Sequence, residues 1–119
     1  LAANLQVNAN GDVTLDQPTN DLDTVAADLQ PGNFSLTDTD DVTVGTVATA
    51  GIQTGNPGAG GHVTINATGG TITVDSPITT ESGTGGGISL SGAVDINAAL
   101  TAAGGDVSLN GAAAGAATG

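Results

Sequence analysis

Acidic side chains are the groups in this sequence best suited to chemistry, and two clusters of them have the composition of cation sites. The clusters are Asp16 with Asp21 and Asp23, and the run Asp38-Thr39-Asp40-Asp41. Calcium takes six to eight oxygen ligands, which Asp-rich turns supply. An extended strand would hold Asp38 and Asp40 about 6.6 Å apart on one face, so only a tight turn brings their carboxylates together.

Two interpretations of the second cluster stay open. One is a specific calcium site formed by Asp38, Asp40 and Asp41. The other is diffuse binding of counter-ions, and it is favoured because the sequence lacks the Gly-Gly-x-Gly-x-Asp repeat of calcium-binding β-helices. No other cofactor is expected.

The overall composition excludes several classes of function. The chain has 119 residues, 12 acidic residues, no Lys or Arg and no Cys, and its formal net charge is −12. Without cations it lacks the lysine of a phosphate-binding loop and the arginine clamps that hold carboxylates. The same charge repels nucleic acid, and no apolar run is long enough for membrane insertion. Without cysteine there are no disulfides and no thiolate metal sites.

An internal repeat defines the architecture that must position these groups. Five copies of a pentad, Gly-x-(Val/Phe/Ile)-(Thr/Ser)-(Leu/Ile), start 21, 29, 25 and 19 residues apart. The copies begin at Gly11, Gly32, Gly61, Gly86 and Gly105. Variable spacing of a constant element is typical of a repeated scaffold with loops of different length between its parts.

Further short strands follow the middle pentads. Alternation of apolar and polar residues predicts second strands at 42–44, 72–74 and 94–96, and third apolar positions at Val47, Ile78 and Leu100. Segments rich in Gly, Asn, Asp and Pro separate the strands and suit corners. In the poorer segment 16–31, Leu22, Val25 and Leu29 fit either a distorted rung or a short helical insertion.

These features predict an all-β fold, a right-handed parallel β-helix (β-solenoid) of about five rungs with three short strands each. Strands this short cannot bury a face alone, so each must pair with the rungs above and below. Two interior columns are expected. They are Val13, Phe34, Val63, Ile88 and Val107, and Leu15, Leu36, Ile65, Leu90 and Leu109.

We expect one solenoid module over residues 1–119, with less regular rungs at 1–59 and regular rungs at 60–110. An Ala- and Gly-rich tail follows at 111–119. No amphipathic helix that would cap either end of the stack is evident, so flanking repeats or other copies are expected to continue it.

Outward-facing hydroxyl groups form a regular ladder in this arrangement. The expected members are Thr14, Ser35, Thr64, Ser89 and Ser108 on one face, and Thr43 and Thr73 on the next. Such a ladder can bind ice or a glycan. The simpler interpretation, which the mixed neighbours favour, is that Thr and Ser are good exposed β-residues that stack well on themselves.

The segments Gly60–Gly70 and Ala98–Leu109 resemble repeats of filamentous-haemagglutinin-like bacterial exoproteins. The resemblance is strongest over residues 60–110. It implies a secreted bacterial β-helix that serves as an adhesin shaft or surface fibre.

Catalysis is not expected. Pectin-degrading β-helix enzymes use a basic residue, or several Asp with a His and a cation, and this chain has no Lys or Arg. Its one histidine, His62, occupies a pentad position that elsewhere holds Asp12, Asn33, Gly87 and Asp106. A general base needs an orienting partner that the sequence does not place there.

The sequence therefore predicts a structural, extracellular, cell-surface solenoid, an adhesin shaft or a self-stacking filament. Its expected partners are other copies or flanking repeats through end-to-end β stacking, and a glycan or host surface. An ice- or glycan-binding solenoid is the alternative. The absence of Lys and Arg leaves no trypsin-type cleavage site, which suits life outside the cell.

Overall fold

The fold is all-β in the computed structural model, which describes residues 3–55, 60–81, 86–111 and 113–115. No helix occurs among these residues. The strands in chain order are β1 Asn4–Ala9, β2 Val13–Leu15, β3 Thr24–Leu29, β4 Phe34–Asp38, β5 Val42–Val44, β6 Ile52–Thr54, β7 Val63–Val74, β8 Ile78–Thr80, β9 Ile88–Ile96, β10 Leu100–Ala102, β11 Val107–Asn110 and β12 Ala113–Gly115.

The pentads form the first face of the molecule. On it β2, β4, the first part of β7, the first part of β9 and β11 pair in parallel in that order. The register places Val13 beside Phe34, Phe34 beside Val63, and so on to Val107. Both predicted interior columns are confirmed.

Two further faces complete each turn. The second face contains the start of β1 and of β3, then β5, the later parts of β7 and β9, and β12. The third contains the ends of β1 and β3, then β6, β8 and β10. All these pairings are parallel, and the chain winds through about four turns. The predicted parallel β-helix is confirmed.

Two strands are longer than the sequence pattern predicts. β7 and β9 run from the first face into the second without a break. Between Asn66 and Thr71 the register shifts, so that four residues of β7 stand opposite the single residue Gly92 of β9. This bulge lets the paired backbone turn the corner while it stays extended.

Segment 16–31 contains one strand of the solenoid, β3, rather than a helix. β3 within it pairs with β1 on one side and with β5 and β6 on the other. Val25 and Leu29 are fully buried, but Ala26 and Ala27 are also buried because β3 crosses from the second face to the third there. Three consecutive buried residues break the alternation, which is why the sequence pattern looks irregular.

The expected interior position of Val47 is wrong. Val47 lies in a loop that leaves the corner between the second and third faces, and it is 38% exposed. Ile52, five residues later, takes the interior position beside Ile78, which in turn pairs with Leu100 as predicted. The loop moves the third strand along the chain, so a constant spacing from the second strand selects the wrong residue.

The core is a narrow aliphatic column with one aromatic side chain, Phe34, fully buried in it. Two polar residues, Thr54 and Thr80, are also buried, at the end of third-face strands. Each hydroxyl donates a hydrogen bond to a glycine carbonyl at the following corner, Thr54 to Gly61 at 2.6 Å and Thr80 to Gly86. Their polar atoms are therefore satisfied without water.

One corner requires glycine for two independent reasons. Gly51 has a φ of +79°, a conformation that side chains with a Cβ rarely adopt. A Cβ at this position would also collide with the carbonyl oxygen of Pro77 in the next rung. The close approach of these two backbones allows Ile52 to donate its amide to the same Pro77 oxygen at 3.0 Å.

Candidate functional site

Four carboxylates gather at one corner of the solenoid, which we call the acidic corner. It lies where the first face meets the second in the lower rungs, and its members are Asp21, Asp38, Asp40 and Asp41. The next rung has Thr68, Gly69 and Gly70 at this corner, so the acidity does not continue up the stack.

Asp38 is the only member of the acidic corner that is buried, with an exposure of 0%. It ends β4, and its two carboxylate oxygens accept hydrogen bonds from backbone amides: Oδ2 from Leu22 at 2.7 Å and Oδ1 from Asp40 at 3.2 Å. A buried carboxylate that accepts backbone amides stabilises a turn, because these N–H groups lack strand partners. Asp38 thus has a structural role whatever else it binds.

The turn after Asp38 brings together carboxylates that an extended strand would keep apart. One oxygen each from Asp21, Asp38 and Asp40 lie within 4.8 Å of one another. Asp41, which the sequence grouped with Asp38 and Asp40, instead accepts the amide of Thr71 in the next rung at 2.8 Å. The geometry thus replaces Asp41 by Asp21 in the candidate calcium set.

The first acidic cluster predicted from the sequence does not assemble as a unit. Asp21 joins the acidic corner, whereas Asp23 accepts the backbone amide of Ala3 at 2.9 Å. Asp16 is exposed and belongs to no group of three acidic or metal-binding side chains within the described residues. Calcium needs six to eight oxygens, so three carboxylates would supply only part of a coordination shell.

Like charges in close proximity change the titration of the acidic corner. Local desolvation, then the negative charges of the other three members and a hydrogen bond with Asp21, raise the pKa of Asp40 above its ordinary value. The corner therefore binds a proton more readily than an isolated aspartate does. Neutralisation of a carboxylate at this corner therefore relieves repulsion between the members.

Outward hydroxyl groups line the first face in the register that the sequence predicts. Thr14 pairs with Ser35, Ser35 with Thr64, Thr64 with Ser89, and Ser89 with Ser108. Neighbouring members are one strand spacing apart, about 4.8 Å. All five are exposed or half-exposed, so the ladder is accessible to a ligand.

The second face has a shorter ladder. Thr24, Thr43 and Thr73 follow one another in register, and Asp95 then takes the next position. A second row does not form beside it: Thr71 is the outward neighbour of Thr73 along β7, but Ala93 pairs with Thr71 in the next rung, and Asp41 and Gly45 flank Thr43 in the rung before. It does not form the flat double row of threonines that an ice-binding face requires.

The column that contains His62 has a structural role that the sequence did not reveal. Asp12 Oδ1 accepts the backbone amide of Asn33 at 2.9 Å, and Asn33 Oδ1 accepts the backbone amide of His62 at 2.8 Å. Each side chain thus satisfies the amide one rung above it. A side-chain oxygen at this position therefore has a structural use. The series of bonds ends with the amide of His62, because neither His62 nor Gly87 has a side-chain oxygen.

An open groove of about 350 Å³ lies beside Gly87 on the first face. Its polar lining consists of His62, Ser89, Asp106 and Ser108, with the backbones of Gly104 and Gly105. Gly87 creates the space, since it is the one member of the His62 column without a side chain. Sequence reasoning missed this groove because it depends on residues from three rungs.

The chain matches no protein-family model, no curated protein and no solved structure. In the part of the chain that the structure describes, no helix is long and apolar enough to span a membrane.

Proposed function

We propose that this chain is a structural β-solenoid segment of an extracellular bacterial protein, where it builds an adhesin shaft or a self-stacking surface filament. The observation that carries the proposal is the pair of unbroken interior columns on the first face. Each column has five residues in parallel register, one from each of the five strands stacked on the first face. A column of this kind can be extended indefinitely by adding rungs.

The end rungs support extension by stacking. Phe34, Val63 and Ile88 in the middle of one column are at most 1% exposed, whereas the column's end residues Val13 and Val107 are only half-buried. The same holds for Leu15 and Leu109 in the second column. A further rung at either end would bury apolar surface and pair open strand edges, both of which stabilise association.

Charge supports a linear rather than a bundled assembly. Twelve acidic side chains with no cation give a net charge of −12, and they are distributed over corners and outward positions. Side-by-side contact would bring these charges together over the whole length of two rods. End-to-end contact buries mainly the interior columns, so repulsion disfavours the lateral mode most.

The resemblance of residues 60–110 to filamentous-haemagglutinin-like repeats supports the bacterial and extracellular parts of the proposal. The absence of Lys and Arg supports it independently, because proteases with trypsin-like specificity find no cleavage site in these 119 residues.

Sedimentation velocity and cryo-electron microscopy of the purified chain over a range of concentrations test the proposal. We expect concentration-dependent filaments with an axial spacing of about 4.8 Å. Leu109→Asp should prevent their growth, because it places a charge on the interior column at the end rung. Ser108→Asp adds the same charge one residue away on the outward face, and filaments should persist.

Discrete monomers of the unaltered chain at every concentration, together with unchanged thermal stability of Leu109→Asp, would contradict the proposal. That result would mean that the end rungs gain nothing from a neighbour.

A further inference from the structure

The polar side chains around the groove beside Gly87 are available to a ligand. The side chains of His62, Ser89, Asp106 and Ser108 make no hydrogen bond with any residue that the structure describes. By contrast, Asp12 and Asn33, which occupy the same column as His62 in lower rungs, use their oxygens to bind backbone amides. The groove therefore presents a set of donors and acceptors that the described part of the fold does not use.

These groups are arranged around a gap of defined size. His62 and Asp106 lie one rung below and one rung above Gly87, while Ser89 and Ser108 are paired neighbours on the adjacent strands. The Nδ1 atom of His62 would lie 3.4 Å from a Cβ placed on Gly87, so the imidazole flanks the gap closely. A side chain at position 87 would fill the space.

The chemistry of the lining selects a neutral polyhydroxyl ligand. A carboxylate accepts two neighbouring hydroxyl groups, serine hydroxyls both donate and accept, and an imidazole supplies a donor or an acceptor. An anionic ligand would be repelled by Asp106 and by a chain of net charge −12. The volume of about 350 Å³ is at the lower end of the range for small-molecule sites, which suits one monosaccharide unit.

We propose that this groove binds one neutral sugar residue of a glycan, with Asp106, Ser89, Ser108 and His62 as the hydrogen-bonding groups. The groove is open, so the remainder of a polysaccharide can continue across the first face. This inference rests on the groove alone and is independent of whether the chain forms filaments.

Nuclear magnetic resonance of the ¹⁵N-labelled chain provides the test, with cellobiose, maltose and lactose as neutral probes and glucuronic acid as an anionic one. At least one neutral disaccharide should shift the amides of residues 87–89 and 105–108 in a saturable manner. Glucuronic acid should bind more weakly than any neutral probe that binds.

Three variants test whether the sugar binds in the groove. Asp106→Ala should weaken binding by about tenfold or more, as the loss of a charge-assisted hydrogen bond predicts. Gly87→Val should abolish it by filling the gap. Thr14→Ala removes a hydroxyl from the same outward ladder far from the groove and should leave the affinity unchanged. The thermal stability of Asp106→Ala should match that of the unaltered chain, since its carboxylate bonds to no described residue.

Three outcomes would overturn the proposal. The first is the absence of shifts with all neutral probes up to their solubility limits. The second is shifts that spread over the surface and survive Gly87→Val. The third is a response of His62 and Asp106 to Zn²⁺ with none to the sugars, which would make the groove a cation site.

Discussion

The carboxylate of Asp38 accepts the backbone amide of Leu22 at 2.7 Å, and this bond joins two successive rungs at the acidic corner. Asp38 is fully buried, although it is an ionisable residue in a chain without cations. Burial is tolerated because its second oxygen accepts the amide of Asp40, so both oxygens have donors. The buried carboxyl group of Asp38 thus stabilises the turn that separates β4 from β5.

Replacing Asp38 should show how much this corner contributes. Asp38→Ala leaves the amides of Leu22 and Asp40 without their acceptor, and we expect a loss of about 2–4 kcal/mol in the free energy of unfolding. Asp38→Asn keeps one acceptor oxygen and should lose about half as much. Urea denaturation measures both, and Asp16→Ala, an exposed acidic residue outside the corner, is the control. Equal stability of Asp38→Ala and Asp16→Ala would contradict the structural role.

Stacking of the interior columns is tested by two adjacent residues of β7. Val63 is fully buried and Thr64 is exposed. Val63→Asp places an unpaired charge in the core and should cost more than about 4 kcal/mol, enough to abolish the cooperative transition. Thr64→Asp introduces the same charge on the surface and should retain it. Circular dichroism with thermal melting distinguishes the two, and a folded Val63→Asp protein would refute the register.

The corner at Gly51 predicts a contrast between two glycines. Gly51→Ala forces a Cβ into a positive φ and against Pro77, so we expect destabilisation of about 1–3 kcal/mol or more. Gly11→Ala meets nothing within 4 Å and should be neutral or stabilising by up to about 1 kcal/mol. Chemical denaturation of the two variants gives the comparison. A Gly51→Ala protein as stable as Gly11→Ala would show that the backbones at this corner can separate without cost.

The raised pKa of Asp40 predicts a particular dependence of stability on pH. A carboxyl whose pKa is higher in the folded state than in the unfolded state binds its proton more tightly when folded, so acidification through that pKa stabilises the fold. Asp40→Asn should therefore raise the urea midpoint at pH 7, and its advantage should shrink as the pH falls through the pKa of Asp40. Asp95→Asn removes the same charge from an isolated outward position and should show a smaller effect. If the stability advantage of Asp40→Asn over the unaltered chain increased as the pH fell, folding would lower the pKa of Asp40 rather than raise it.

The side chain of Gln6 forms hydrogen bonds with the loop that contains Val47. Its side-chain oxygen accepts the amides of Ala48 and Thr49, each at 3.0 Å. Gln6→Ala should speed hydrogen exchange at these two amides and cost about 1–2 kcal/mol, because both amides lose their acceptor and the bond from Gln6 Nε2 to Thr49 Oγ1 is also lost. Gln53→Ala removes a single exposed bond to Glu81 and should have little effect. Unchanged exchange at Ala48 and Thr49 would mean that the loop is held by other contacts.

The regular part of the fold could be predicted from the sequence because its signal is local and repeated. An alternation such as that of Val63, Thr64 and Ile65 specifies a strand with one buried face, and the recurrence of the pentad specifies which residues stack. The prediction is wrong at Val47, and at 16–31 the pattern allows two interpretations; both places contain corners. At a corner the side-chain direction depends on how the backbone bends rather than on the identity of each residue.

The acidic corner and the groove beside Gly87 could not be predicted from the sequence. Asp21 and Asp38 are 17 residues apart in sequence, and His62 and Asp106 are 44 apart. These residues are close in space because of the number of residues in each turn. Since the loops differ in length, that number cannot be derived from the sequence spacing alone. The composition and the repeat by themselves determined that this chain is an acidic, non-basic stack of short parallel strands, because burial and pairing act on every rung alike. Only the tertiary structure decided which carboxylates meet at the corner and where the surface opens, because these depend on the path of individual loops.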